Sequence, residues 1–244
     1  MRNLRLDLCY DGTRYKGWQR LALTDNTIQA KVEQTLSRIL GEHVEVIGSG
    51  RTDAGTHALY QVANVHCESS MDCAEVLQQL RKYLPEDIGI YSCRNASPRF
   101  HARLNALTKT YRYRIWNSDV PCVFDRRYVW VDARPLDIVS MSNAAQLFLG
   151  THDFSAFCTN KQTKKSTVRT IHSFTVERIG HEIQFTVTGN GFLHNMVRIL
   201  VGTLVEIGSG QRQAEQIPEL FGGRREEAGF TVPSCGLCLM EVTY

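Results

Sequence analysis

The chain lacks long apolar runs, an excess of either charge, and any regular bias in proline or glycine. Its most apolar stretch, 192–207, is broken by His194, Asn195, Arg198, Gly202 and Glu206. A membrane-spanning helix needs roughly 20 mostly apolar residues, so no span is expected. The first ten residues, MRNLRLDLCY, alternate charged and apolar side chains and carry no signal-peptide block. Six prolines and 18 glycines in 244 residues exclude collagen-like and low-complexity chains. The 28 Lys and Arg nearly balance the 25 Asp and Glu, and 43% of residues are hydrophobic, which excludes a disordered chain. Paired metal-ligand motifs are also missing. Eight cysteines are scattered, Cys235-Gly236-Leu237-Cys238 is a lone CxxC, and no HxxxH or HExxH occurs. His57, His101 and His194 have the most suggestive surroundings of the eight histidines. The expectation is a cytoplasmic protein with reduced thiols and no evident metal site. A redox or metal protein built on the cysteines is the weaker alternative.

What is present is a concentration of basic residues. Between 99 and 127 seven cations face two carboxylates, and between 161 and 178 five face one. These segments hold +5 and +4, leaving −6 for the rest of a chain whose net charge is +3. Such clustering suits a polyanion-binding face, and equally two solvated strand faces.

Periodicity reads as α+β. Strands are expected near 3–10, 43–47, 58–66, 88–95, 106–117 and 236–243, with a hairpin of 170–178 and 182–188 turning at Gly180-His181. Helices are expected over 27–40 (capped by Asn26, with Gln29 completing a capping box, and ended by Gly41), 73–84 (capped by Asp72, with Val76, Leu77, Leu80, Tyr83 and Leu84 inward), 137–149, 191–207 and, briefly, 213–221. The chain divides into 1–98 and 99–244, two sheet-plus-helix halves of similar make-up.

Three segments carry candidate chemistry. Gly48 to Gly55 holds three glycines around Arg51-Thr52-Asp53, a shaped loop that could present a carboxylate as nucleophile or base. An isolated Arg-Thr-Asp triplet is more often an ordinary turn. Arg198 is the only charged residue from 191 to 205, on a helix apolar on nearly every side. Burial would require an anionic partner, Asp53 or a phosphate, unless the side chain snorkels out past Gly202. In the strand around Tyr111, Tyr113 and Ile115 share one face, Arg112 and Arg114 the other. Rings and guanidiniums so interleaved suit nucleic acid, and also suit a sheet with an aromatic core face.

YDGTRYKGWQ (10–19), GRTDAGTHA (50–58), FHARLNALTKTYRYRI (100–115), GNGFLHNMVRILVG (189–202) and the C-terminal VPSCGLCLMEVTY together resemble the TruA-type tRNA pseudouridine synthases, from first strand to last residue. The resemblance implies two similar α+β subdomains joined into one largely antiparallel mixed sheet, with a central basic cleft. It implies Asp53 as the catalytic aspartate, in the 1–98 half, and Arg51 as the residue that helps displace the target nucleotide. Tyr111 would stack on the base and Arg198 would be the basic partner of Asp53, both in the 99–244 half. Phe100, His101, Ala102, Arg103 and Leu104, and Thr163, Lys164, Lys165, Ser166 and Thr167, would contact tRNA. Thr56 stands where valine is usual, and Tyr60 where glycine is usual. The implied reaction is isomerisation of uridine to pseudouridine at positions 38, 39 and 40 of the tRNA anticodon arm, without cofactor or metal. A homodimer is implied too. A compact chain of this length has a radius of gyration of about 18 Å and can grip only part of a tRNA. The rival is a non-catalytic RNA-binding protein of related fold.

Overall fold

The computed structural model describes residues 1–159 and 166–244, so Thr163, Lys164 and Lys165 lie outside the described residues. The fold is α+β with a large mixed sheet, and the chain forms two compact units, Met1–Leu107 with Leu239–Tyr244, and Thr108–Cys238.

In the first unit β1 (Arg2–Tyr10) runs antiparallel between two strands still to come in the chain. After β1 come α1 (Ile28–Leu40), β2 (Val46–Gly48), β3 (His57–Cys67), α2 (Cys73–Tyr83) and β4 (Ile88–Ala96). β3 and β4 flank β1, and β2 pairs with the outer side of β3. The alternation read from the sequence holds. Leu4, Leu6 and Leu8 are fully buried, as are Val32 and Leu36 of α1 and Val76 and Leu80 of α2. Each such side chain contributes roughly 1.5–3 kcal/mol of burial.

The helix starts needed correction. Thr27, not Asn26, caps α1, accepting from the Ala30 N–H at 3.3 Å. The Asn26 amide donates instead to Arg14 O, and Gln29 to Val46 O, so no capping box forms. Gly41 ends the helix in the left-handed region, as expected (φ 72°). Asp72 caps α2. Its buried row is Val76, Leu80 and Leu84 at four-residue steps; Tyr83 lies off that row and is exposed, beside Lys82.

The second unit contains β5 (Thr108–Trp116), β6 (Trp130–Val131), α3 (Ile138–Gln146), β7 (Gly150–Asp153), β8 (Val168–Ile179), β9 (Glu182–Gly189), α4 (Met196–Gly208) and α5 (Ile217–Leu220). β9 pairs antiparallel with β5 and β8, β7 antiparallel with β8, and β6 parallel with β5. Gly180 (φ 59°) turns the β8–β9 hairpin. α4 starts later than its apolar pattern suggests, because 191–195 form a loop ending at Asn195 with φ 61°. The segment 213–221 splits into a 3-10 turn, Ala214–Gln216, and one turn of α-helix, α5. The last strand, β10 (Leu237–Thr243), carries the chain back into the first unit, where Thr243 O accepts from Leu107 N at 2.9 Å.

Candidate active site

Between β2 and β3 the loop 49–56 carries Arg51, exposed, and Asp53, half-buried. Its shape comes from residues 10–18, the other glycine- and aromatic-rich segment of this unit. Trp18 N donates to Thr52 O (3.1 Å), Gly55 N to Tyr15 O (3.3 Å), and Tyr10 Oη lies 2.9 Å from Thr52 Oγ1. Thr56 N closes a turn onto Asp53 O at 3.1 Å. Gly17 has φ 94°, and a Cβ there would sit 2.7 Å from Thr52 O and 3.1 Å from the carbonyl carbon of Asp53. A Cβ on Gly12 would collide with the Thr56 carbonyl. His57 Nδ1 lies 3.1 Å from the Gly12 N–H and 3.1 Å from Asp11 Oδ1. Ser49 and Gln61 are bonded beneath the loop, and Gln61 also donates to Gly50 O. The backbone that carries Asp53 is therefore held both by residues 10–18 and by Gln61. The Oγ1 of Thr56 is buried without a hydrogen-bond partner among the described residues.

A second loop of this unit, 97–105, hangs on a buried amide pair. Asn3 donates to Ser97 O (2.9 Å) and Phe100 O (2.8 Å), Asn64 donates to Asn3 Oδ1 (3.0 Å), and Asn64 Oδ1 accepts from Ala102 N (2.8 Å). The C-terminal Tyr244 donates to Ala102 O (2.7 Å) and packs on the Phe100 ring, with the Arg5 guanidinium over both rings. His101 Nδ1 accepts from Arg103 N and Leu104 N at 3.2 Å each. Ala102 is buried, while Arg103 and Leu104 face solvent. Beneath lies Asp7, bonded by Ser92 (2.7 Å) and Arg5 (2.9 Å), with Arg94 3.2 Å away. Burial pushes this carboxyl up, but those donors and charges outweigh it and hold it below its ordinary value.

In the second unit the period of two along β5 holds. Tyr111, Tyr113 and Ile115 are buried and Arg112 and Arg114 half-exposed. Tyr113 Oη donates to Pro233 O, a core role. Tyr111 meets Phe192 edge-on at 5.3 Å between ring centres. Arg114 is paired with Glu182 and Asp125, so part of the basic charge near 99–127 is neutralised inside the fold. Arg198 is half-buried rather than buried. Its Nε donates to Val232 O (2.7 Å) and its Nη1 to Asn195 Oδ1 (2.6 Å). Asn195 donates in turn to Thr159 Oγ1 (2.8 Å), which lies 2.6 Å from His194 Nδ1. Asn195 is the one non-glycine residue with positive φ among those described. Sequence reasoning passed over it, although asparagine is a residue that tolerates this conformation. Against α4, the chain at Phe230 approaches so closely that a Cβ on Gly202 would collide with the Phe230 carbonyl. Ser166 is exposed and Thr167 half-buried. Cys235 donates to Val129 O and Cys238 lies in β10. No group of three His, Cys, Asp or Glu among the described residues could hold a metal ion, and no helix among them is long and apolar enough to cross a membrane.

The family model of the tRNA pseudouridine synthases matches residues 9–104 and 144–244. The chain is 46% identical to tRNA pseudouridine synthase A of Bacillus sp. (strain KSM-64), over the full length of both. It is 44% identical, again over both full lengths, to tRNA pseudouridine synthase A 2 of Bacillus anthracis and to tRNA pseudouridine synthase A of Acetivibrio thermocellus. Among solved structures, a chain of a Cbf5-Nop10-Gar1 complex matches 83% of this chain and 45% of that one, at 14% identity and a TM-score of 0.36, too low to carry an argument. The chain belongs to the tRNA pseudouridine synthase family.

Proposed function

We propose that this chain's isomerisation of uridine to pseudouridine is directed at positions 38, 39 and 40 of the tRNA anticodon arm, with Asp53 as the reacting carboxylate, in a cytoplasmic homodimer. In the reaction the bond from N1 to C1′ breaks, the uracil turns, and a C5–C1′ bond forms. The proton lost from C5 is balanced by one gained at N1, so nothing is added or oxidised. The base must first leave its stack. Arg51, exposed two residues from Asp53, helps displace the nucleotide, and the Tyr111 ring stacks on the freed uracil. Arg198 supplies a cation to the reaction, with Asn195 and Val232 setting its direction. Phe100 and Ala102 hold the 97–105 loop while His101, Arg103 and Leu104 meet the RNA, as do Ser166 and Thr167. Thr163, Lys164 and Lys165, outside the described residues, are proposed contacts on charge alone.

The observation that carries this reading is the support of the Asp53 loop by two backbone hydrogen bonds from residues 15 and 18, at 3.3 and 3.1 Å. The test is incubation with anticodon-arm tRNA and mapping of pseudouridine. Asp53→Asn keeps the shape and removes the charge. Its turnover should fall to the detection limit while tRNA affinity and Tm stay near wild type. A folded Asp53→Asn protein with substantial turnover would refute the assignment, and modification outside 38–40 would refute the positions. Light scattering that finds an active monomer would refute the dimer.

A further inference from the structure

We infer that Arg169, at the start of β8, binds a backbone phosphate of the RNA next to the nucleotide that meets Tyr111. The inference rests on the RNA substrate proposed above. Arg169 Nη1 donates to two carbonyls of its own strand end, Ser166 O at 2.9 Å and Val168 O at 2.6 Å. Among the described residues its Nε and Nη2 have no hydrogen-bond partner and the guanidinium makes no ion pair. One edge of the guanidinium is thus anchored, and the edge that grips an oxyanion with two parallel bonds is left over. The side chain is half-buried, and burial holds its pKa below the ordinary arginine value. A half-buried cation without a counter-charge is a cost that a bound anion removes.

The surroundings decide which anion. Thr170, beside Arg169, is clasped by the loop after β9: its N–H donates to Asn190 Oδ1 and its carbonyl accepts from Asn190 N, both at 3.0 Å. A Cβ on Gly189 would sit 2.7 Å from Thr170 O, so only glycine lets that loop lie so close. A Cβ on Gly191 would lie 3.8 Å from Arg169 Nε, which places the open edge against the glycine next to Phe192. Phe192 in turn packs on Tyr111. Gly189 is also the register partner of Lys109, so a second cation stands at the same end of the sheet. A guanidinium edge one residue from the ring that contacts Tyr111 fits a phosphate flanking a splayed-out nucleotide, read without regard to sequence.

The test measures tRNA binding against salt for wild type, Arg169→Gln, Arg169→Lys and, as a charge-matched control, Lys82→Gln on the exposed face of α2. Arg169→Gln should weaken binding roughly tenfold and lower the slope of log K against log salt by about 1, with kcat at saturating tRNA near wild type and KM raised. Arg169→Lys keeps the charge but not the paired donors, so it should keep the slope and lose about threefold. Lys82→Gln should match wild type. Wild-type protein that neither binds nor modifies tRNA removes the RNA reading itself. Wild-type protein that does both, while Arg169→Gln and Arg169→Lys show its affinity and its slope, overturns the phosphate assignment.

Discussion

Gly17→Ala separates support of the Asp53 loop from stability of the fold. Gly17 has φ 94°, where an L side chain is strained by about 1–2 kcal/mol. Its new Cβ would also press on Thr52 O at 2.7 Å and on the Asp53 carbonyl carbon at 3.1 Å. Both are backbone, so relief requires the loop to move by several tenths of an ångström. Gly41 is the comparison. It too has positive φ (72°), and nothing lies within 4 Å of a Cβ built there. Gly41→Ala therefore has the backbone cost alone. At roughly 2–4 °C per kcal/mol for a chain of this size, Tm should fall by about 2–8 °C in Gly41→Ala and by at least as much in Gly17→Ala. Turnover should part the two. A displacement of 1 Å at a reacting group costs on the order of 100-fold, so a shift of several tenths should slow Gly17→Ala by about 10-fold or more. Gly41→Ala should keep wild-type turnover. The assay is pseudouridine formation under single-turnover conditions at a temperature where both variants are folded, with melting curves recorded beside it. Equal single-turnover rates in the two variants would refute the claim that residues 10–18 position Asp53.

Three further outcomes follow from the same structure. Thr56→Val removes a buried hydroxyl that lacks a partner among the described residues, and should raise stability by about 1 kcal/mol, seen as a Tm rise of roughly 2–4 °C; a lower Tm would show that the hydroxyl is bonded. The Asp7 carboxyl is held below its ordinary value, so its contribution to stability is present above pH ~4, the unfolded-state pKa, and is lost as pH falls through the lower folded value. Denaturant midpoints should fall in that acid range, and Asp7→Asn should flatten the fall while lowering stability at neutral pH; an unchanged acid slope would contradict it. Tyr111→Phe keeps the ring and should bind tRNA nearly normally, whereas Tyr111→Ala should lose ~1–3 kcal/mol of binding; full activity in both would make Tyr111 a core aromatic only.

Local chemistry was legible in the sequence because it is local. Period-two alternation placed β1, β5 and the β8–β9 hairpin, since a pleated strand sends neighbouring side chains to opposite faces. Asp72 and Gly41 marked helix ends because capping is decided within a few residues. The Arg-Thr-Asp loop stood out because three glycines in eight residues are unusual, and its motif carried the family. Only the tertiary structure decided what depends on residues far apart in the chain. Thr27 displaced Asn26 as a cap because Arg14 O claimed the asparagine amide. The two glycine-rich segments near 12 and 52 became one support because backbone packs against backbone there, which no single window of sequence contains. Arg114 turned from a candidate nucleic-acid contact into half of an ion pair because Glu182 lies diagonally across from it on the adjacent antiparallel strand. The return of residues 239–244 to the first unit, which sets Tyr244 under the 97–105 loop, has no local signal at all: its partners, Ala102 and Leu107, lie more than a hundred residues earlier.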